Sequence, residues 1–180
     1  MSPADENYFA ARGMRLLGKA SAFADQMHKL IANAPLLEEL SLAEIRTLGE
    51  YTLVYEADPG TPVIVEGEAG DFMIILIAGS MEVVRRDRHD VPSRIAVVQE
   101  GHALGEMSML DGEPRFASCI AIEPVQFAVL SRADLSAVIH SEPALGAKIL
   151  VKLVHVLAQR LRNTSTKLVA VMEATGWNRN

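Results

Sequence analysis

At 180 residues and 49% hydrophobic, the chain can bury one substantial core but is too short for two full-sized domains, so one domain with helical appendages is expected. Its net charge of −6, with acids and bases interspersed, offers no basic face to a phosphate backbone, and direct nucleic-acid binding by this chain is not expected. The lone cysteine, Cys119, sits in an apolar run and reads as a small core residue. The N-terminal charges (Asp5, Glu6, Arg12, Arg15, Lys19) argue against a signal peptide, and no stretch approaches the roughly 18 apolar residues of a membrane span; a cytoplasmic chain without membrane association is expected.

Residues 4 to 33 read as helix. Phe9, Leu16, Leu17, Ala20, Phe23, Met27, Leu30 and Ile31 recur at three- and four-residue spacings, between Pro3 and Pro35. A second helix should start after Ser41, whose hydroxyl can form a capping box with Glu44 ahead of Ile45 and Leu48. From Tyr51 the period changes. Short apolar runs (TLVY, PVIV, FMIILIA, MEVV, RIAVV, CIAI, VQFAVL) are separated by Asp58-Pro59-Gly60, Gly67, Gly70-Asp71 and Gly79-Ser80. Seven or eight such strands suggest an antiparallel sandwich or roll. The predicted organisation is an N-terminal helical extension (1–34), a β-roll (35–140), a long coiled-coil-like helix (141–175) and a short tail (176–180).

The last helix is the most regular element. Ala147, Leu150, Val154, Leu157, Leu161, Thr164, Leu168 and Val171 alternate steps of three and four, a heptad seam that calls for a partner helix and predicts a homodimer. Thr164 is the one polar residue in that stripe. Its hydroxyl either bonds back to its own helix or is reached by something polar.

The segment Gly105 to Ser118, GEMSMLDGEPRFAS, carries the chemistry. Arg115 follows the stiff Pro114 and precedes the strand that begins at Phe116, so its planar fork sits on fixed backbone and suits two oxygens of a phosphate. The residues between Gly105 and Gly112 read as one helical turn with free amides for the same anion. Glu106 suits sugar hydroxyls, or pairs with Arg115 in the absence of ligand. On spacing alone, a surface Glu–Arg ion pair of little consequence is the simpler reading.

The same segment closely resembles the phosphate-binding cassette of cyclic nucleotide-binding domains, commonly Gly-Glu-Leu/Met-Ala/Ser-Leu followed by Pro-Arg-x-Ala-Thr/Ser. The likeness continues upstream through Pro59-Gly60, Glu66-Gly67-Glu68, Gly70-Asp71 and Ile77 to Val83, and covers residues 36–140. It implies a mainly β fold, an antiparallel jelly-roll-like β-roll with flanking helices. In it Arg115 would neutralise a cyclic phosphate, Glu106 would take the ribose 2′-hydroxyl, Gly105 would admit the sugar, and the Ala117 amide would help hold phosphate. Met107, Ser108 and Phe116 complete the implied ligand-binding set. The segment Ala158 to Leu168 resembles the dimer helix of cAMP receptor protein-type regulators, which implies that Thr164, and Ser165 from a partner subunit, reach adenine.

Two departures bear on these expectations. Phe116 stands where a small residue often follows the arginine, which removes a possible bond to phosphate or guanine and favours cAMP over cGMP. The chain also stops at Asn180, about fifteen residues past Ser165, without room for a helix-turn-helix. The expected protein is a non-catalytic cAMP sensor, with cGMP the lesser candidate, acting on an unknown effector protein. The alternatives are the sensor part of a transcription regulator cut before its DNA-binding domain, and a ligand-free dimerisation scaffold. An enzyme on a cupin-like roll has less support: His28, His89, His102, His140 and His155 are scattered with no HxH pair, so no metal or cofactor is expected. Trp177 reads as a tail residue and Arg85-Arg86-Asp87-Arg88 as a solvated hairpin tip.

Overall fold

A computed structural model describes residues 3–176; Trp177 lies outside them. In chain order the elements are α1 (Pro3–Ala10), β1 (Arg15–Lys19), a 3-10 turn (Ala20–Phe23), α2 (Ala24–Lys29), a second 3-10 turn (Ile31–Asn33), α3 (Leu42–Glu50), β2 (Leu53–Ala57), β3 (Pro62–Ile64), β4 (Phe72–Ala78), β5 (Ser80–Arg86), β6 (Pro92–Gln99), β7 (Ala103–Leu104), α4 (Glu106–Asp111), β8 (Ser118–Ala121), β9 (Val125–Ser131), α5 (Arg132–Ser141) and α6 (Pro143–Thr175).

All strand pairings are antiparallel. One sheet has the order β1-β2-β9-β4-β7, the other β3-β8-β5-β6. This is the expected mainly β roll with flanking helices and a long C-terminal helix. The run FMIILIA shows how the two layers are built. Phe72, Ile74 and Leu76 of β4 face the roll interior with Tyr55, Val63, Met81, Cys119 and Phe127, while Met73, Ile75 and Ile77 face the helices with Leu37, Ile45, Leu48, Val138 and Ile149. A strand covered on both faces has no polar alternation to show, so it reads as continuously apolar. Cys119 is buried, and that burial pushes its thiol up to about 12, as a core residue should be.

The single N-terminal helix expected over residues 4–33 is not formed. Gly13 and Gly18 adopt positive φ (74° and 135°) that a helix cannot hold, and β1, which contains Gly18, pairs along β2. The helical spacing was spread over two cores: Phe9 enters the roll, whereas Ala20, Ala24 and Met27 pack under the helices. An open sheet edge decided the conformation of Arg15–Lys19 over local periodicity.

The capping box at α3 forms as expected, with Ser41 and Glu44 exchanging side chain-to-backbone bonds. Glu44 also accepts from Lys148 of α6 at 2.7 Å, and these bonds, Lys148 first and then Ser41, hold its carboxyl down at about 2. A carboxyl lowered in the fold contributes stability above its unfolded value of 4.5 and loses it as pH falls towards 2. Both partners of this pair face solvent, so the contribution is about 0.5–1 kcal/mol. Wild type should lose this increment between about pH 4.5 and 2, and Glu44→Gln should flatten that segment of a melting temperature against pH curve.

Candidate ligand site at the α4 cassette

α4 is a short helix held between two glycines in the left-handed region, Gly105 at its N-cap (φ 80°) and Gly112 at its C-cap (φ 80°). The N-terminal glycine also answers a packing demand. A Cβ on Gly105 would lie 2.7 Å from Arg115 Nη1 and 2.9 Å from Ile64 Cδ1, and one on Gly70 would lie 2.1 Å from Arg115 Nε. The arginine therefore occupies a slot that only two glycines leave open.

Arg115 is fixed on its backbone as expected: its N–H donates to the Glu68 carbonyl at 2.8 Å, and its own carbonyl accepts from the Gly67 N–H at 2.8 Å. The side chain is 3% exposed. Its guanidinium lies 4.3 Å from the Phe72 ring centroid, and Nη1 donates to the Gly105 carbonyl at 2.8 Å. Burial lowers its pKa, a direction that the charges of Asp71 and Glu106 oppose. Arg132, at the start of α5, donates to the Ser108 carbonyl at 3.1 Å and ties α4 to the following helix.

Glu106 is 1% exposed. Its partner is not Arg115, as the sequence suggested, but Arg160 of α6, whose guanidinium meets Glu106 Oε1 and donates a second bond to the Ala103 carbonyl. The physical reason is that Arg115 is drawn away by Gly105, Phe72 and the 67–68 backbone, leaving the carboxylate to the cation that α6 brings in. Among the described residues, two buried side-chain nitrogens or oxygens have no hydrogen-bond partner: Arg115 Nη2 and Glu106 Oε2. One is a cationic donor, the other an anionic acceptor, and both belong to the cassette.

The other candidate residues fall into two groups. Ser108 and Ala117 are buried beside the arginine and glutamate, whereas Met107 and Phe116 face outward. The Phe116 ring carries the Arg85 guanidinium at 3.8 Å from its centroid. Arg85 and Arg86 thus belong to β5, not to a hairpin tip: Arg85 also meets Glu66 at 3.8 Å, and the Arg86 N–H donates to the same carboxylate at 2.9 Å. Thr164 bonds back to the Arg160 carbonyl at 2.8 Å, and both it and Ser165 are exposed on α6. One turn separates Thr164 from Arg160, so the threonine lies on the helix side that approaches the cassette. Arg160 is the residue that sequence reasoning missed, although a cation four positions before the lone polar seam residue was the available signal.

α6 is anchored by its first half. Leu145, Ile149 and Leu153 are buried, and Lys152 meets Glu38 at 3.2 Å and Glu39 at 2.7 Å. The heptad stripe lies elsewhere on the helix: Val154, Leu161 (69% exposed), Leu168 and Val171 face solvent. Among the described residues, no cluster of three or more His, Cys, Asp or Glu could hold a metal ion, and no helix is long and apolar enough to cross a membrane.

A family profile described as cyclic nucleotide-binding domain matches residues 54–142. A solved cyclic nucleotide-binding domain from Methylobacillus flagellatus KT superposes with a TM-score of 0.79 at 32% identity, covering 87% of this chain and 88% of that one. The chain belongs to the cyclic nucleotide-binding domain family. A CRP-like cAMP-activated global transcriptional regulator from Mycobacterium tuberculosis is 28% identical over 142 residues, 79% of this chain. A cAMP-dependent protein kinase regulatory subunit from Yarrowia lipolytica is 30% identical over 102 residues, 57% of this chain. The chain spans 62% of the length of the mycobacterial regulator and 26% of the yeast subunit. The cassette described above lies within the matched 54–142 segment; α1, β1 and the whole of α6 lie outside it.

Proposed function

We propose that this chain is a non-catalytic sensor of a cyclic nucleotide, cAMP in preference to cGMP, that signals through the packing of α6. The observation that carries the reading is the pair of buried, unpartnered atoms, Arg115 Nη2 and Glu106 Oε2. A buried polar atom without a partner is costly, and a cyclic nucleotide supplies what each lacks: phosphate oxygens for the guanidinium and a ribose hydroxyl for the carboxylate. Gly105 then brings the sugar close, and Ser108 and the Ala117 amide border the phosphate. The similarity to a cAMP-activated regulator and to a cAMP-dependent protein kinase regulatory subunit supports the choice of nucleotide.

The output follows from Arg160. Because it shares the Glu106 carboxylate, a ribose that bonds Oε2 rearranges the same group that holds α6. The exposed apolar stripe of α6 supports a homodimer through that helix, in which Thr164 and a partner's copy of Ser165 would face the adenine of the bound ligand. A partner effector protein would read the change in helix packing.

Thermal shift and calorimetry with cAMP and cGMP test the reading. At a hundredfold excess over its dissociation constant, a ligand should stabilise the fold by about 2.7 kcal/mol. Thr164→Ala should weaken cAMP more than cGMP, since only adenine offers an amino donor at that position; equal losses would remove the adenine contact. No shift with either nucleotide would favour a ligand-free scaffold, and turnover of the cyclic phosphodiester would show an enzyme instead.

A further inference from the structure

α1 makes a set of contacts that the nucleotide reading does not use. Phe9 is fully buried inside the roll, and its ring meets Phe72 at 5.0 Å and Tyr55 at 4.5 Å between centroids. Tyr8 meets the same Phe72 edge-on at 5.3 Å and donates its hydroxyl to the Val63 carbonyl at 3.3 Å. Phe72 is the ring against which the Arg115 guanidinium lies. Tyr8 and Phe9 of the helix thus both pack against the ring that lies beneath that cation.

A second route reaches the main chain of Arg115. Arg12, just past the end of α1, donates from Nη2 to both Glu68 carboxylate oxygens, at 2.7 and 2.8 Å, while its guanidinium caps the Tyr8 ring at 3.7 Å and its Nη1 donates to the Tyr8 carbonyl at 3.2 Å. The carbonyl of the same Glu68 accepts the Arg115 N–H. Side chain and backbone of Glu68 therefore join Arg12 to Arg115 through one residue. Burial, opposed by the charge of Arg12, holds the Tyr8 phenol up at about 12, so it is a neutral donor at any physiological pH.

We propose that α1 and the turn after it complete the anion site: Tyr8 and Arg12 are positioning residues that set the Phe72 shelf and the backbone of Arg115, so ligand affinity depends on a segment outside the family-matched residues 54–142. With Nη2 shared between the two Glu68 oxygens and Nη1 on the Tyr8 carbonyl, the Arg12 guanidinium is held at three points, and a misplaced cation loses affinity for a phosphate even when it remains in the pocket. The assignment rests on the nucleotide reading of Arg115.

The test is a double-mutant cycle on the full chain, with dissociation constants for cAMP measured by calorimetry. Arg12→Ala and Glu68→Gln should each weaken binding about tenfold; in an Arg115→Lys background, Arg12→Ala should cost less than about twofold, because its effect passes through the arginine. Wild-type affinity in both single variants would overturn the proposal. So would a full tenfold loss carried into the Arg115→Lys background, since that is the behaviour of a helix that merely stabilises the roll. If Arg12→Ala does not fold, Glu68→Gln keeps the main-chain bond to Arg115 and carries the same comparison. Wild-type protein that binds neither cAMP nor cGMP would overturn the nucleotide reading itself, a result distinct from the two above.

Discussion

Arg115→Ala should lose cyclic nucleotide binding by more than about 3 kcal/mol, at least a hundredfold in dissociation constant, while its melting temperature stays close to that of the parent. The two halves of this expectation have separate causes. Ligand binding collapses because a phosphate drawn into the slot between Gly70, Gly105 and Phe72 would meet no cation. Stability holds because a buried guanidinium is itself expensive to desolvate, and removing it offsets the bonds it makes to the Gly105 carbonyl. Calorimetry with cAMP and cGMP, paired with thermal melts of the ligand-free protein, separates the two. A variant that binds as tightly as wild type would show that the arginine has no part in the site.

Arg160→Ala should behave in the opposite way, lowering the stability of the ligand-free protein by about 2 kcal/mol. Glu106 is then a carboxylate enclosed on all sides with no cation on Oε1, and the Ala103 carbonyl loses its donor as well. Adding Glu106→Gln should restore most of the loss, because a neutral amide tolerates the enclosed position. Denaturant unfolding of the two single variants and the double variant closes the cycle. If Glu106→Gln brings no recovery, Arg160 contributes through its aliphatic stem or through the Ala103 bond, and the charge pairing is incidental.

The strands of the roll were legible because each is short and bounded by a glycine or proline turn, from Asp58-Pro59-Gly60 to Gly79-Ser80. The capping box at Ser41 was legible for a similar reason: it is a local device whose two residues need nothing from the rest of the fold. What could not be read was whatever depends on distant partners. Leu16 and Leu17 lie at helical spacing from Ala20, yet they sit in a strand along β2, Leu16 opposite Tyr55 and Leu17 at the register shift before Gly18. β7 spans two residues, too few for any period. Within the cassette, the residue types and their order were visible, as was the backbone anchoring of Arg115. The partner of Glu106 was not, since it comes from 54 positions along the chain, and sequence proximity pointed to Arg115 instead.

Past Arg160 every described residue of α6 except Met172 is exposed, so the helix leaves the body of the fold at the point where it touches the cassette. From there to Thr175 it runs about 22 Å at 1.5 Å per residue. A stiff rod hinged at one end converts small angles into distance: a tilt of about 10° at the fulcrum carries the far tip sideways by about 4 Å. A displacement of the cassette too small to disturb the roll would therefore be magnified at the outer end of that rod.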